Sequence, residues 1–380
     1  MKKGIRNIDF PLMFLTLSLA IFGIIMIFSA SSYAAVLQYY VSETYFAMKQ
    51  AVVLIVGIVI SLIIMKIPTR YYTVLSRIFM FLIILVLVGI KIYGTASHNA
   101  TSWIKKGIFG LQPSEFSKTF IILYLACYYG NKKKFKQEYD IFLPLIPCIL
   151  VFGLVLIEPD RGTAMIIALI TMFIFFSLPF PKGKYLKIIR TLLVVGILAA
   201  GVILVFADDI FKSSEALSRF NYQKPCSRYL EDTGYQVCNG YIAINNGNLF
   251  GVGLGKSTQK YLYLPEAHTD FIFAIIIEEL GVIIGGIILI VYILILYRIL
   301  VIARNAVTLR GSILAFGTFA YILIHIVVNL GGLLALIPLT GVPLPFLSYG
   351  GSFMLNLIIL LALTQRVAIE NKEERNVAHE

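Results

Sequence analysis

Long apolar runs recur along almost the whole 380-residue chain, and they leave few folds open to it. Crossing about 30 Å of hydrocarbon takes roughly 20 apolar residues in an α-helix. Inside lipid, only helices and closed barrels satisfy all their own backbone groups. Runs of helical length begin near Phe10, Ala51, Ile78, Phe116, Ile141, Ala164, Thr191, Phe271, Ser312 and Phe353. They predict an all-α polytopic membrane protein with ten transmembrane helices. Spans five and six are separated only by the sharp break Glu158-Pro159-Asp160-Arg161-Gly162. A hydrophobic share of 59% fits this reading, since soluble domains hold about 45–50%. The first run, with Lys2, Lys3 and Arg6 ahead of it, exceeds the apolar length of a signal peptide and reads as a retained span.

Charge sets the orientation, because short connections rich in Lys and Arg stay cytoplasmic. With Met1 inside, the predicted inner connections collect 20 of the 32 basic residues, in groups around Lys2, Lys66, Lys132, Lys182, Arg298 and Arg366. An even number of spans then puts both termini in the cytoplasm, with 367–380 as a short tail. The net charge of +12 is therefore a signal of topology, inner loops held against anionic membrane lipid, and not a footprint for nucleic acid. The segment 208–269, between spans seven and eight, becomes one large extracellular loop of a length that is usually functional. It contains Cys226 and Cys238, on the side of the membrane where a disulfide persists. A bridge would add about 3 kcal/mol of loop restraint; two free thiols are the alternative. Cys127 and Cys148 fall in spans and read as inert packing residues, and no zinc or haem spacing occurs. Gly247, Gly251, Gly253 and Gly255 imitate a phosphate-cradling loop only weakly without a flanking strand and helix. Turns or close backbone packing explain them as well.

Three polar stretches stand out against the apolar background. In LPEAHTDFIFAIIIEELG, 264–281, Asp270 lies where a span begins, and Glu278 falls about 12 Å deeper on nearly the same helix face at 1.5 Å per residue. Glu279 points elsewhere. An unpaired ionisable group within a span costs at least about 2.5–3.5 kcal/mol, so each such group is a functional candidate. Asp270 reads as a general base or, with Thr269, as the N-cap that opens span eight. Glu278 and Glu279 read as buried partners of neighbouring spans, and His325 as a packing residue midway along span nine. In SWIKKGIFGLQPSEFSK, 102–118, Trp103 is an interfacial anchor or a substrate contact. Glu115 and Lys118 share a helix face at i,i+3, just after the helix-start signal Pro113-Ser114. The third stretch, PLTGVPLPFLSYGGS at 338–352, carries three prolines and three glycines between spans nine and ten. Such backbone must be buried in protein or line a wet cavity.

Taken with EPDRGTA at 158–164, these motifs, in this order, resemble the SEDS family (shape, elongation, division and sporulation) over nearly the whole chain, 1–380, as one membrane domain. The resemblance implies an enzyme that polymerises lipid II, a polyprenyl-pyrophosphate-linked disaccharide-peptide, into β-1,4 glycan strands on the outer face of the bacterial cytoplasmic membrane. It also implies a class B penicillin-binding protein as crosslinking partner, beside other divisome proteins. The stretch from Tyr235 to Asp270 is more similar to the division-type FtsW branch of Gram-positive bacteria than to the elongation-type RodA branch. It departs from many members at Asn239-Gly240, where they carry Gln-Ser, and at Asn245 to Asn248, where they carry Gly-Ser-Gly-Gly.

Glycosyl transfer from a pyrophosphate has a good leaving group, so one base and some cations suffice. The resemblance implies Asp270 as the base. It implies substrate contacts from Trp103, Glu115, Lys118, Asp160, Arg161, Arg219, Lys256, Glu266, His268 and Ser348, with Lys260 as a further outer cation. Arginine suits bidentate phosphate contact and lysine a point charge. For Asp160 a local ion pair with Arg161 is the competing reading, and for Lys118 the pair with Glu115. A divalent cation, Mg or Mn, assisting pyrophosphate departure is compatible with the family, though no dedicated cage of oxygen ligands is visible. The rival function is a transporter that flips lipid II, which would place Glu278 and Glu279 near the membrane midplane.

Overall fold

The computed structural model describes residues 7–93, 104–106, 109–131, 139–158, 160–179, 187–188, 191–192, 224–230 and 232–378. The expected seventh span, most of the first half of the expected outer loop, Trp103 and Arg219 lie outside the described residues. The described helices are α1 (Phe10–Leu37), α2 (Tyr45–Ile64), α3 (Tyr72–Tyr93), α4 (Pro113–Asn131), α5 (Tyr139–Phe142), α6 (Leu145–Ile157), α7 (Arg161–Ser177), α8 (Asp232–Gly247), α9 (Ile272–Arg304), α10 (Leu309–Leu333) and α11 (Gly351–Ala378). A small antiparallel hairpin, β1 (Ile104–Lys106) with β2 (Phe109–Leu111), pairs Ile104 with Leu111 ahead of α4.

Six helices are long and apolar enough to cross a membrane: α1, α2, α3, α9, α10 and α11. The helices at expected spans four to six, α4, α6 and α7, fall short of that measure by length or polarity. The molecule is helical and polytopic, with six such spans among the described residues.

Local chemistry sets the helix starts. Asp9 accepts a hydrogen bond from the Leu12 amide at 3.0 Å with Pro11 in the first turn of α1, and Thr308 accepts from Gly311 at the start of α10. Each satisfies an amide that has no partner within its helix. α10 and α11 are buried along most of their length and form the centre. α2 packs along α11, while α4, α7 and α9 pack on α10. The outer faces of α2, α3 and α9 expose apolar side chains such as Ile55, Phe81 and Ile290, as a lipid-facing surface requires.

α9 is two helices joined at a break. Gly281 has φ 87° and ψ 165°, a backbone region only glycine adopts readily. The Asn248 and Leu249 carbonyls accept from the Val282 and Ile283 amides, and the Glu278 and Glu279 carbonyls accept from Val252 and Gly253. The loop ahead of α9 thus folds back into its break. This corrects the expectation of a continuous span: Asp270 precedes the helix, and Glu278 and Glu279 sit in a short segment before the kink.

Those two glutamates are fully buried, and loop residues claim most of their oxygens. Lys260 Nζ lies 2.9 Å from Glu279 Oε1, and Ser29 of α1 donates to the same carboxylate at 2.7 Å. Glu278 accepts from Ser257, from Thr258 at 2.9 Å and from Asn246 at 3.0 Å. Only Ser29 comes from a neighbouring span. Cys226 and Cys238 are joined as a disulfide that ties the turn Pro225–Arg228 to α8.

Candidate active site

A cavity of about 740 Å³ opens where the non-helical segment 334–350 meets the starts of α4, α7 and α11. Asp270 reaches it from the turn before α9, Lys49 from α2, Gln112, Glu115 and Lys118 from the β2 to α4 junction, Asp160 from the cap of α7, and His325 from α10.

The Asp270 backbone is held from behind. Asn329 of α10 spends both amide protons on carbonyls, 2.8 Å to Asp270 and 2.8 Å to Val342. Ser348 donates to the Thr269 carbonyl at 2.5 Å and accepts from the Leu344 amide at 2.8 Å. Tyr349 donates its amide to the His268 carbonyl at 2.9 Å. The proline- and glycine-rich segment therefore spends its polar groups on the loop that carries Asp270. At Gly341 the backbone has φ 66°, and a Cβ there would sit 3.7 Å from Asp270 Oδ2.

The Asp270 side chain is half-buried. Burial first, and the Glu266 carboxylate second, push its carboxyl up to about 7, against smaller opposing hydrogen bonds from its own backbone and the Thr269 hydroxyl. A carboxyl that titrates near neutrality is suited to take up a proton. Phe271, not Thr269 or Asp270, occupies the N-cap position of α9 and makes no side-chain cap, so Asp270 has no capping duty.

Across the cavity Lys118 is buried, with Nζ 2.7 Å from Glu115 Oε1. Glu115 Oε2 makes no hydrogen bond among the described residues. Asp160 does not pair with Arg161: it caps α7 by accepting from the Thr163 amide at 3.0 Å and accepts from Gln112 Nε2 at 2.9 Å. Its carboxylate locks the β2 to α4 junction against the start of α7.

The FtsW, RodA and SpoVE family, described as cell cycle proteins, matches residues 10–373. The chain belongs to this family. A protein of Bacillus subtilis named probable peptidoglycan glycosyltransferase FtsW is 35% identical over 99% of this chain and 95% of its own length. Stage V sporulation protein E of the same organism is 33% identical over 95% of this chain and 96% of its own. Among solved structures, a chain of a peptidoglycan synthase complex coordinating polymerisation and crosslinking superposes with a TM-score of 0.75 at 23% identity, covering 96% of this chain and 98% of that one. The rod shape determining protein RodA of Thermus thermophilus superposes at 0.67 and 24% identity, over 95% and 96%.

For this member of the FtsW, RodA and SpoVE family, the cavity brings together Glu115, Lys118, Asp160, Glu266 and Asp270 of the residues expected from sequence. Trp103 and Arg219 lie outside the described residues, and the remaining expected residues stand apart from the cavity. Arg161 and Lys256 are exposed away from the cavity. His268 is buried against Phe46 and Tyr349, where burial pushes its imidazole below the usual range. Ser348 supports backbone, and Lys260 is committed to Glu279. Sequence reasoning missed Lys49, Gln112 and Asn329; His325, expected as a packing residue, is buried between Tyr321 and Phe353 and also borders the cavity. Among the described residues no three of His, Cys, Asp and Glu converge. The described residues thus form no ready-made cage for a divalent cation.

Proposed function

We propose that this chain is a peptidoglycan glycosyltransferase that polymerises lipid II, and that Asp270 is its general base. The observation that carries the reading is the half-buried Asp270, titrating near 7, facing a buried lysine across one cavity. In the reaction the acceptor sugar's 4-hydroxyl oxygen attacks the donor anomeric carbon while Asp270 takes the hydroxyl proton. The bond from that carbon to the pyrophosphate oxygen breaks, its electron pair leaving with the polyprenyl pyrophosphate. Inversion at carbon gives the β-1,4 link. Lys118 and Lys49 are the cavity cations that stabilise charge growing on the leaving pyrophosphate. Glu115, Glu266 and Asp160 shape the site, and the free oxygen of Glu115 is an acceptor for a sugar hydroxyl.

The names of its relatives support a role in septal wall synthesis, with a class B penicillin-binding protein as the crosslinking partner. We assign the chain to the bacterial cytoplasmic membrane as one domain of ten spans. Both termini are cytoplasmic, the loop 208–269 is extracellular, and the cavity faces outward. The flippase reading loses its main support because Glu278 and Glu279 are engaged by the loop. The test is polymerisation of purified lipid II by the reconstituted protein, with and without its cognate transpeptidase. Asp270→Asn, which keeps the shape and removes the base, is expected to abolish glycan strands while the protein still reaches the membrane. Strands from purified Asp270→Asn protein would end the assignment, and lipid II crossing the bilayer without polymer would favour transport.

A further inference from the structure

Two polar residues of α10, His325 and Asn329, lie one helical turn apart, and i,i+4 spacing puts them on one face. Both reach the same non-helical segment. Asn329 ties the Val342 carbonyl to the Asp270 carbonyl. His325 Nδ1 lies 3.2 Å from the next carbonyl, Pro343 O, and its Nε2 lies 3.4 Å from Lys118 Nζ. The two ends of the cavity, base and cation, are therefore fixed to each other through one turn of α10 and two consecutive carbonyls.

The proton on His325 follows from its partners. A carbonyl only accepts, so Nδ1 carries the hydrogen; an ammonium only donates, so Nε2 presents its lone pair. This neutral tautomer gives Lys118 a second acceptor beside Glu115. The ring is wedged between Tyr321 and Phe353, with centroids 4.5 and 4.8 Å away, so its plane is fixed. With one N–H directed at Glu115 Oε1 and one at His325 Nε2, the third N–H of Lys118 is the one left for the cavity. A flexible lysine stem would otherwise spread its charge over many rotamers.

We propose that His325 is a positioning residue, which aims the Lys118 ammonium at the departing pyrophosphate by accepting a hydrogen bond from it. This rests on the reading of the chain as a lipid II polymerase. Because charge on the pyrophosphate grows toward the transition state, loss of aim lowers kcat more than it changes KM.

The experiment measures kcat and KM for purified lipid II with the reconstituted full-length protein and two variants. His325→Asn keeps an amide donor near Nδ1 for Pro343 and withdraws the acceptor from Lys118. His325→Gln puts an amide oxygen near the Nε2 position. The expected result is a kcat lower by about ten- to a hundred-fold in His325→Asn with KM little changed, the scale of a misplaced catalytic group. His325→Gln is expected to recover most of that loss. Equal defects in the two variants would mean that His325 only packs, and full activity in His325→Asn would mean that Lys118 needs no second acceptor; either overturns the proposal. Should His325→Asn be recovered poorly, His325→Phe keeps the ring between Tyr321 and Phe353 and is compared with His325→Gln on the same terms. A wild-type protein that forms no strands overturns the polymerase reading and this inference together, whereas strands from wild type and from His325→Asn alike overturn the inference alone.

Discussion

Asp270 can act only when ionised, and burial together with the charge of Glu266 holds that ionisation near pH 7. Polymerisation is therefore expected to rise with pH through about 7 and then level. Replacing Glu266 with Gln removes a repulsive negative charge, so the acid limb of kcat/KM against pH is expected to move to lower pH. A limb that stays in place or moves up would mean that Glu266 does not act on Asp270 electrostatically. The same shift bears on stability. The folded carboxyl binds its proton more tightly than it does in the unfolded chain, where an aspartate titrates near its ordinary 3.8. That contribution is complete below 3.8 and is lost as pH rises to about 7. Asp270→Asn is accordingly expected to melt above the wild type at pH 8, and by a smaller margin at pH 5. Asp270, Glu115 and Lys118 were legible in the sequence because acids and a lysine at the edge of apolar runs demand a reason. His325 and Asn329 carried the same kind of signal, two polar residues at i,i+4 within a span. The packing reading of His325 agrees with its place between Tyr321 and Phe353, but what it joins is not legible, because its partners, Lys118 and Pro343, are 207 and 18 residues away.

At the scale of elements, the break in α9 is what sequence could not reveal. Leu280-Gly281-Val282 looks like continuous span, since glycine is common in transmembrane helices. The reason for Gly281 lies upstream: a Cβ there would overlap the Leu249 carbonyl oxygen, and one at Gly251 would overlap the Glu279 carbonyl oxygen. Gly247 and Gly251 are thus close-packing positions, while Gly253 and Gly255 serve turns with positive φ. Gly281→Ala forces both a disfavoured backbone conformation and a backbone clash, and is expected to lower stability by roughly 2–3 kcal/mol, read as a lower unfolding midpoint in detergent. The buried pair Lys260 and Glu279 pins the same loop to α9 and, through Ser29, to α1. Lys260→Met alone strands a buried carboxylate and is expected to cost about 3–5 kcal/mol. Adding Glu279→Gln should recover much of that loss, because the stranded charge goes with it. A double variant as unstable as Lys260→Met would show that packing, not charge, holds the loop.

The whole molecule has two chemically different ends. At one, Asp9 of the α1 start meets Arg298 at 2.5 Å and Gln365 at 2.8 Å, Glu370 accepts from Thr69, Arg366 donates to the Met65 carbonyl, and Arg310 reaches the Thr69 carbonyl. These contacts gather Arg298 near the end of α9, Arg310 at the start of α10 and Arg366 of α11 around the start of α1 and the connection between α2 and α3. The cavity with Asp270 lies at the other end, beside the starts of α2, α4, α7 and α11. Basic connections stay on the cytoplasmic side, so this polarity implies an outward-facing cavity. The existing cysteines make the implication easy to test: Cys127 and Cys148 are buried, and Cys226 and Cys238 are bridged, so a membrane-impermeant maleimide meets little background. A cysteine at Ser42, in the exposed connection from α1 to α2 on the cavity side, is expected to be labelled in intact spheroplasts. One at Asn305, in the exposed connection from α9 to α10, should react only after the membrane is opened. The reverse pattern would turn Asp270 toward the cytoplasm, where no acceptor strand is being extended, and the proposed chemistry would fall with the orientation.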